Sequence, residues 1–356
     1  MTDLPPSRRR LLTLATSLPA AMWAGPLLAA PPPVAVAPFA ERPKLLVAGP
    51  ADGALNRWAD ALLPALEQSL PPDTSIRRVE VGSADGVTGA NQFEVRGVPD
   101  GQTVLLAPGQ AALAWMVGDP RAKFDVAHWV SVVAGTSVGL VVGRSTVFAG
   151  DPHARVVATN PAGSDVAALL GLYLLGVRME VAFGPVEPDA AEKAFLQGAA
   201  DVVLLHGGHV PERFATLQAA GAQSLFTLGT LDNTGHLVRD AAYPQVPHFS
   251  ELYVTRTGVQ PNGPLYDAWC AAAAAAQLVF GMVLPQLTPA ALVALWRRAG
   301  SDAVASLGVQ TAAASANVRP LAGPIATTNT AAIAANVAAI RELRGWLSGR
   351  LNWRPV

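Results

Sequence analysis

The chain has 356 residues, of which 51% are hydrophobic and 14% charged, with a formal net charge of −1. That is enough apolar chain for one large or two medium domains, and too apolar a chain for disorder. The near-neutral balance argues against a nucleic-acid surface: no Lys/Arg block lies outside the extreme N-terminus, and no aromatic–basic interleaving occurs.

The start reads as an export signal. Ser7-Arg8-Arg9-Arg10-Leu11-Leu12 is twin-arginine-like, and the apolar stretch that follows over 11–30 is broken by Pro19, Gly25 and Pro26. These interruptions suit a cleaved signal better than a membrane span, with an uncleaved anchor as the alternative. Leu28-Ala29-Ala30 and Ala35-Val36-Ala37 are candidate cleavage sites. Residues 1–37 carry three Arg and one Asp, so their removal takes the formal net charge from −1 to −3.

After a Pro-rich leader, the apolar run 44–47 predicts a short buried strand. The loop Gly49-Pro50-Ala51-Asp52 leads into 54–70, where Leu55, Trp58, Ala59, Leu62 and Leu66 recur at helical spacing, with Pro64 a blemish and Asp52 placed to cap. A strand over 76–81, a Gly-rich loop over 82–89, a helix over 90–95, a strand over 103–107 and a helix over 110–117 continue the pattern. This alternation predicts a parallel sheet with covered faces. Each Gly-rich loop follows a strand and opens a helix. Two helix N-termini thus meet at one sheet edge, where unpaired N–H groups can hold an anion without a cationic side chain.

Apolar runs over 130–134 and 138–142 read as strands. A second α/β segment then begins: strand 156–158, loop 159–164, helix 165–175, strand 179–183, helix 190–197, and strands at 202–205 and 225–228. Residues 265–279, 289–299 and 331–351 predict helices, and 308–329, rich in Ala, Thr and Pro, an irregular connection. Two α/β segments with a late helical region suggest a two-lobed receptor whose ligand lies in the crevice at the carboxyl ends of strands.

Cys270 is the only cysteine, which excludes an intrachain disulfide and a Cys metal cluster. Flanked by Trp269 and alanines, it reads as a small buried helix residue. His206-Gly207-Gly208-His209 lacks Cys or carboxylate partners nearby and reads as a loop near the crevice rather than a metal site. Trp58, Trp115, Trp269 and Trp296 lie in apolar helical runs and read as core. No nucleophile elbow, P-loop or dinucleotide fingerprint is present, so the chain is read as a non-enzyme without cofactor or metal.

Several motifs, in order, resemble the substrate-binding receptors of tripartite tricarboxylate transporters, the Bug-type receptors. They are Gly49-Pro50-Ala51-Asp52, the Gly-rich loop 82–89, Pro99-Asp100-Gly101-Gln102-Thr103, Phe124-Asp125, the loop 158–164, Gln197-Gly198 with Asp201-Val202, and Tyr243-Pro244-Gln245-Val246-Pro247. The resemblance covers roughly residues 44–350. It implies a type II, two-lobed periplasmic-binding-protein-like α/β fold with the ligand cleft between lobes. The expected organisation is signal and leader over 1–37, one lobe from 38–143 plus 255–356, and the other from 144–254. It further implies a periplasmic receptor that captures a small carboxylate or related metabolite and delivers it to membrane permease subunits. The implied ligand-binding residues are Gly49, Ala51, Asp52, Ser83, Thr88, Gly89 and Gln110 from one lobe and Thr159, Asn160, Gly163 and Ser164 from the other.

The chain also departs from that family's pattern. Ala167 stands near an expected His, Phe183-Gly184-Pro185 replaces a Tyr-Lys-Gly pattern, and Asp85 adds a negative charge beside an anion site. Such a charge would disfavour a carboxylate unless turned away or paired. An accessory subunit that keeps the fold without binding ligand is therefore the alternative.

Overall fold

The computed structural model describes residues 39–160, 163–184, 187 and 189–354. The export signal, its cleavage sites, Pro161, Ala162 and Pro185 lie outside the described residues.

The first half alternates as the sequence predicts: β1 (Lys44–Val47), α1 (Ala54–Ser69), β2 (Arg77–Glu80), α2 (Val87–Arg96), β3 (Thr103–Ala107) and α3 (Gly109–Val117). β4 (Trp129–Ser137) and β5 (Leu140–Gly143) follow, then β6 (His153–Ala158), α4 (Asp165–Leu174), β7 (Arg178–Phe183), α5 (Ala190–Leu196) and β8 (Val202–Leu205). Next come α6 (Val210–Ala219), β9 (Gln223–Thr227), the short pair β10 (Thr230–Leu231) and β11 (Leu237–Val238), α7 (Phe249–Thr257) and α8 (Pro264–Gln277). The chain continues through β12 (Leu278–Pro285), α9 (Ala290–Ala305), α10 (Leu307–Ala316), β13 (Val318–Ala322), α11 (Gly323–Ile333) and α12 (Val337–Arg350).

Two main sheets result, ordered β13-β4-β12-β3-β1-β2 and β7-β6-β8-β5-β9. Each holds a parallel triplet, β2-β1-β3 in one and β7-β6-β8 in the other, and each is extended by antiparallel strands. The sheets are therefore mixed, which corrects the all-parallel expectation. The reason is that β12 arrives from the C-terminal part of the chain and inserts between β3 and β4, antiparallel to both. The architecture is the two-lobed α/β fold, with a cleft between lobes. The chain crosses from the first sheet to the second between Ser137 and Leu140, where the Leu228 N–H donates to the Gly139 carbonyl at 2.8 Å.

Three other expectations are corrected. Residues 308–329 are not irregular: α10, β13 and most of α11 occupy them, and α10 and α11 bury Val309, Ala313, Ala326 and Ile333. The final helix begins only at Val337, where the Asn336 side chain accepts from the Ala339 N–H at 2.8 Å. Asp52 is exposed and does not cap α1; Gly53 is the cap residue, in extended conformation.

Helix α8 joins the lobes. The alanines 271–276 are all buried, and the helix packs on α3, α4, α11 and α12. Trp269 is fully buried, donates its indole N–H to the Ala167 carbonyl of α4 at 3.0 Å, and stacks on Phe249 at 4.0 Å. One continuous apolar core thus runs through both lobes behind the cleft. Trp58 and Trp296 are also core, while Trp115 is half-buried. Cys270 is half-buried on α8, and burial pushes its thiol up to about 11, so it is an inert thiol at neutral pH.

Candidate functional site

Two connected chambers open between the lobes. The larger, about 990 Å³, is lined by Ser83, Ala84, Asp85, Gln110, Ala114 and Arg121 from the first lobe and by 159–160, 163–165, Glu187, Asp189, Ala191, Glu192, Val203, Leu204, His206 and Arg213 from the second. The smaller, about 270 Å³, is lined by Gly49, Pro50, Gly53, Ala54, Leu55, Pro108, Ser137, Gly207 and part of α8 and β12. Ala84, Gln110, Ser164 and His206 border both chambers. Volumes of this order suit a small metabolite.

The structure brings Gly49, Ser83, Gln110, Thr159, Asn160, Gly163 and Ser164 together around these chambers. It does not bring Ala51, Asp52, Thr88 or Gly89 among the lining residues. Ala51 and Asp52 face solvent. Thr88 and Gly89 lie inside α2, because the helix starts at Val87. Gly89 serves packing there: a Cβ at that position would lie 2.5 Å from the Ala48 Cβ. Pro108, Ser137 and Gly207 were absent from the sequence-derived set. The βα turn at Pro108-Gly109 follows a strand just as the other loops do, and was the available signal.

The N-termini of α1, α2, α3 and α4 all border this region, and they differ in one respect. At α2, the Asp85 carboxylate accepts from the Val87 N–H at 3.2 Å and the Ser83 hydroxyl at 2.9 Å. At α4, the Asp165 carboxylate accepts from the Thr159 N–H at 3.1 Å and its hydroxyl at 3.3 Å. Both termini therefore already hold an internal carboxylate, the favourable placement for a negative charge. The N-termini of α1 and α3 hold none. The N–H groups of Ala54, Leu55, Gly109 and Gln110 have no hydrogen-bond partner among the described residues. Ala54, Leu55 and Gln110 all border the smaller chamber, whose described lining carries no formally charged side chain.

The charges of the larger chamber are mostly paired. Arg121 binds Asp85 at 2.9 Å and Asp119 at 2.6 Å, so Asp85 is neutralised as well as turned to its helix. The guanidinium holds the Asp119 carboxyl below the usual carboxylate range. Arg213 donates to Glu192 at 3.0 Å and to the His206 carbonyl at 2.8 Å. Burial pushes the Asp165 carboxyl up, opposed by the two Thr159 bonds.

Burial, with the nearby Arg213 charge, pushes the His206 imidazole down to about 4. It is neutral at pH 7 and holds no anion by charge. The unfolded chain binds this proton near 6.5, the folded one only near 4, so His206 withdraws stability as pH falls through that window. The expected loss by pH 4.5 is roughly 2 kcal/mol. Urea midpoints at pH 7, 5.5 and 4.5 should fall less steeply for His206→Gln than for the parent; parallel profiles would contradict this. His209 is exposed in a left-handed turn that starts α6, and among the described residues no group of three His, Cys, Asp or Glu could hold a metal ion.

No protein-family model matches the sequence, and no curated protein matches it. Solved structures do. A TctC solute-binding protein from Polaromonas superposes with a TM-score of 0.63 at 16% identity, over 87% of this chain and 99% of that one. MatC from Rhodopseudomonas palustris with bound malate aligns at 16% identity over 86% and 98%, TM-score 0.49. The periplasmic binding protein BugD aligns at 13% identity over 86% and 97%, TM-score 0.48. At 16% identity the first superposition speaks to fold. The chain thus resembles the TctC solute-binding proteins over most of its length and shares their two-lobed fold.

Proposed function

We propose that this protein is an exported, non-catalytic solute receptor that takes a small carboxylate-bearing metabolite between its lobes. The observation that carries this reading is the smaller chamber, where two open helix N-termini from one lobe face Ser164, His206 and Gly207 of the other. Aligned, unpaired N–H groups with no nearby carboxylate favour an anion. A ligand held there touches both lobes, so it binds the closed arrangement more tightly and draws the lobes together. Delivery to membrane permease subunits follows from the resemblance, and a periplasmic location from that and the twin-arginine-like start. Among the described residues no helix is long and apolar enough to cross a membrane.

Thermal-shift and calorimetric titration against monocarboxylates, dicarboxylates, amino acids and aromatic acids tests the reading. At least one class should raise the melting temperature with 1:1 stoichiometry; a folded protein that answers to none of them contradicts it. Ser164→Ala removes a hydroxyl bordering both chambers and should lower affinity about tenfold, one charge-assisted hydrogen bond, without moving the apo melting temperature.

The second reading, an accessory subunit without ligand, is favoured by the internal carboxylates at α2 and α4. It predicts recovery of a membrane-complex partner by a protein that is silent in the titration.

A further inference from the structure

Electrostatic asymmetry of the cleft bears on what else the ligand carries. The smaller chamber is uncharged with open helix N-termini. The larger one places five carboxylates, Asp85, Asp165, Glu187, Asp189 and Glu192, against two guanidiniums. Both guanidiniums are engaged, Arg121 by Asp85 and Asp119, Arg213 by Glu192 and a backbone carbonyl. Lys193 pairs with Glu187 at 3.2 Å and Asp189 at 3.1 Å, which still leaves the wall net negative.

A second, independent observation points to a polar ligand at the boundary. Ser164 is only 7% exposed, borders both chambers, and its hydroxyl has no hydrogen-bond partner among the described residues. A hydroxyl placed there can donate to or accept from a polar group of the ligand. The neutral His206 ring stands beside it in both walls.

We propose that the ligand is a zwitterion. Its carboxylate sits in the smaller chamber at the N-termini of α1 and α3. Its ammonium or substituted ammonium group extends past Ser164 into the larger chamber, toward Asp165 and the acidic wall of the second lobe. This rests on the receptor reading above and narrows it. A second carboxylate on the ligand would have to enter a wall that is net negative among the described residues, with both of its guanidiniums committed, so dicarboxylates are selected against. Asp165 is the key positioning group, because it is fixed by Thr159 and meets the cavity from the mouth of α4.

The test is isothermal titration with matched sets that share a carboxylate and differ at the other end. One set is 4-aminobutanoate, butanoate and pentanedioate; another is L-alanine, propanoate and butanedioate; longer homologues extend both. In at least one set the amino acid should bind about tenfold or more tightly than either partner, as a charge-assisted hydrogen bond would give. Asp165→Asn keeps the acceptor for Thr159 and should remove most of that preference. Should that variant fold poorly, Glu187→Gln, on an exposed residue, should narrow the preference by a smaller factor. Dicarboxylates binding as tightly as amino acids would overturn the zwitterion and leave the receptor standing. No binding by any member of the sets, with the protein folded, would overturn both.

Discussion

Gly109→Ala is expected to cost about 3 kcal/mol of stability, one of the two largest effects anticipated for a single substitution in this protein. A Cβ on residue 109 would lie 1.9 Å from the Ala275 carbonyl oxygen and 2.9 Å from that of Leu278. Both are backbone atoms at the junction of α8 and β12, so no side chain can rotate away. Either α3 must lift from α8, or the α8–β12 junction must shift. Gly308→Ala is the contrast: a Cβ there meets nothing within 4 Å, and the residue lies inside α10. Alanine should be neutral or stabilise by up to ~1 kcal/mol at such a helical position. In chemical denaturation the midpoint of Gly109→Ala should fall clearly, while that of Gly308→Ala should hold or rise. Equal, small shifts would mean that α3 does not approach α8 as described.

Ala54→Asp should abolish ligand binding while leaving the protein at least as stable as before. Residue 54 is exposed, opens α1 and borders the smaller chamber. An aspartate there would do at α1 what Asp85 and Asp165 do at α2 and α4: place the chain's own carboxylate at the helix N-terminus. That placement favours the helix by about 0.3–1 kcal/mol. It also puts a fixed negative charge in the seat assigned to the ligand carboxylate, for an expected affinity loss of 100-fold or more. Ala54→Asn gives a polar side chain without the charge and should lose far less. Calorimetry with the best-binding compound, alongside melting curves, checks both halves. Retained affinity in Ala54→Asp would remove α1 from the site.

The strands that the sequence places to the residue, 44–47, 103–107 and 202–205, are short apolar runs set off by Gly, Pro, Asp or His. β12 was hidden because nothing separates it from α8. Six alanines and Gln277 lead into Leu278, which ends the helix and begins the strand at once. α10 and α11 carry few large apolar residues, and their helicity depends on the sheet and helices they cover, a tertiary effect that no local pattern displays. In the site, the βα loops announced themselves by their glycines, Gln110 was legible as a polar residue following a strand, and Ser164 came from the loop that the family resemblance pointed to. What could not be read was the direction of Asp85 and Asp165. A carboxylate in such a loop can face the ligand or its own helix, and only the partners (Val87, Arg121 and Thr159) show which.

The most direct measurement is a crystal structure with the tightest-binding compound from the titrations. The account predicts closed lobes, with the ligand carboxylate within hydrogen-bond distance of the N–H groups at Ala54–Leu55 and Gly109–Gln110, and Ser164 in contact. A ligand carboxylate seated at the N-terminus of α2 or α4 in place of Asp85 or Asp165, or a ligand outside the interlobe chambers, would contradict it.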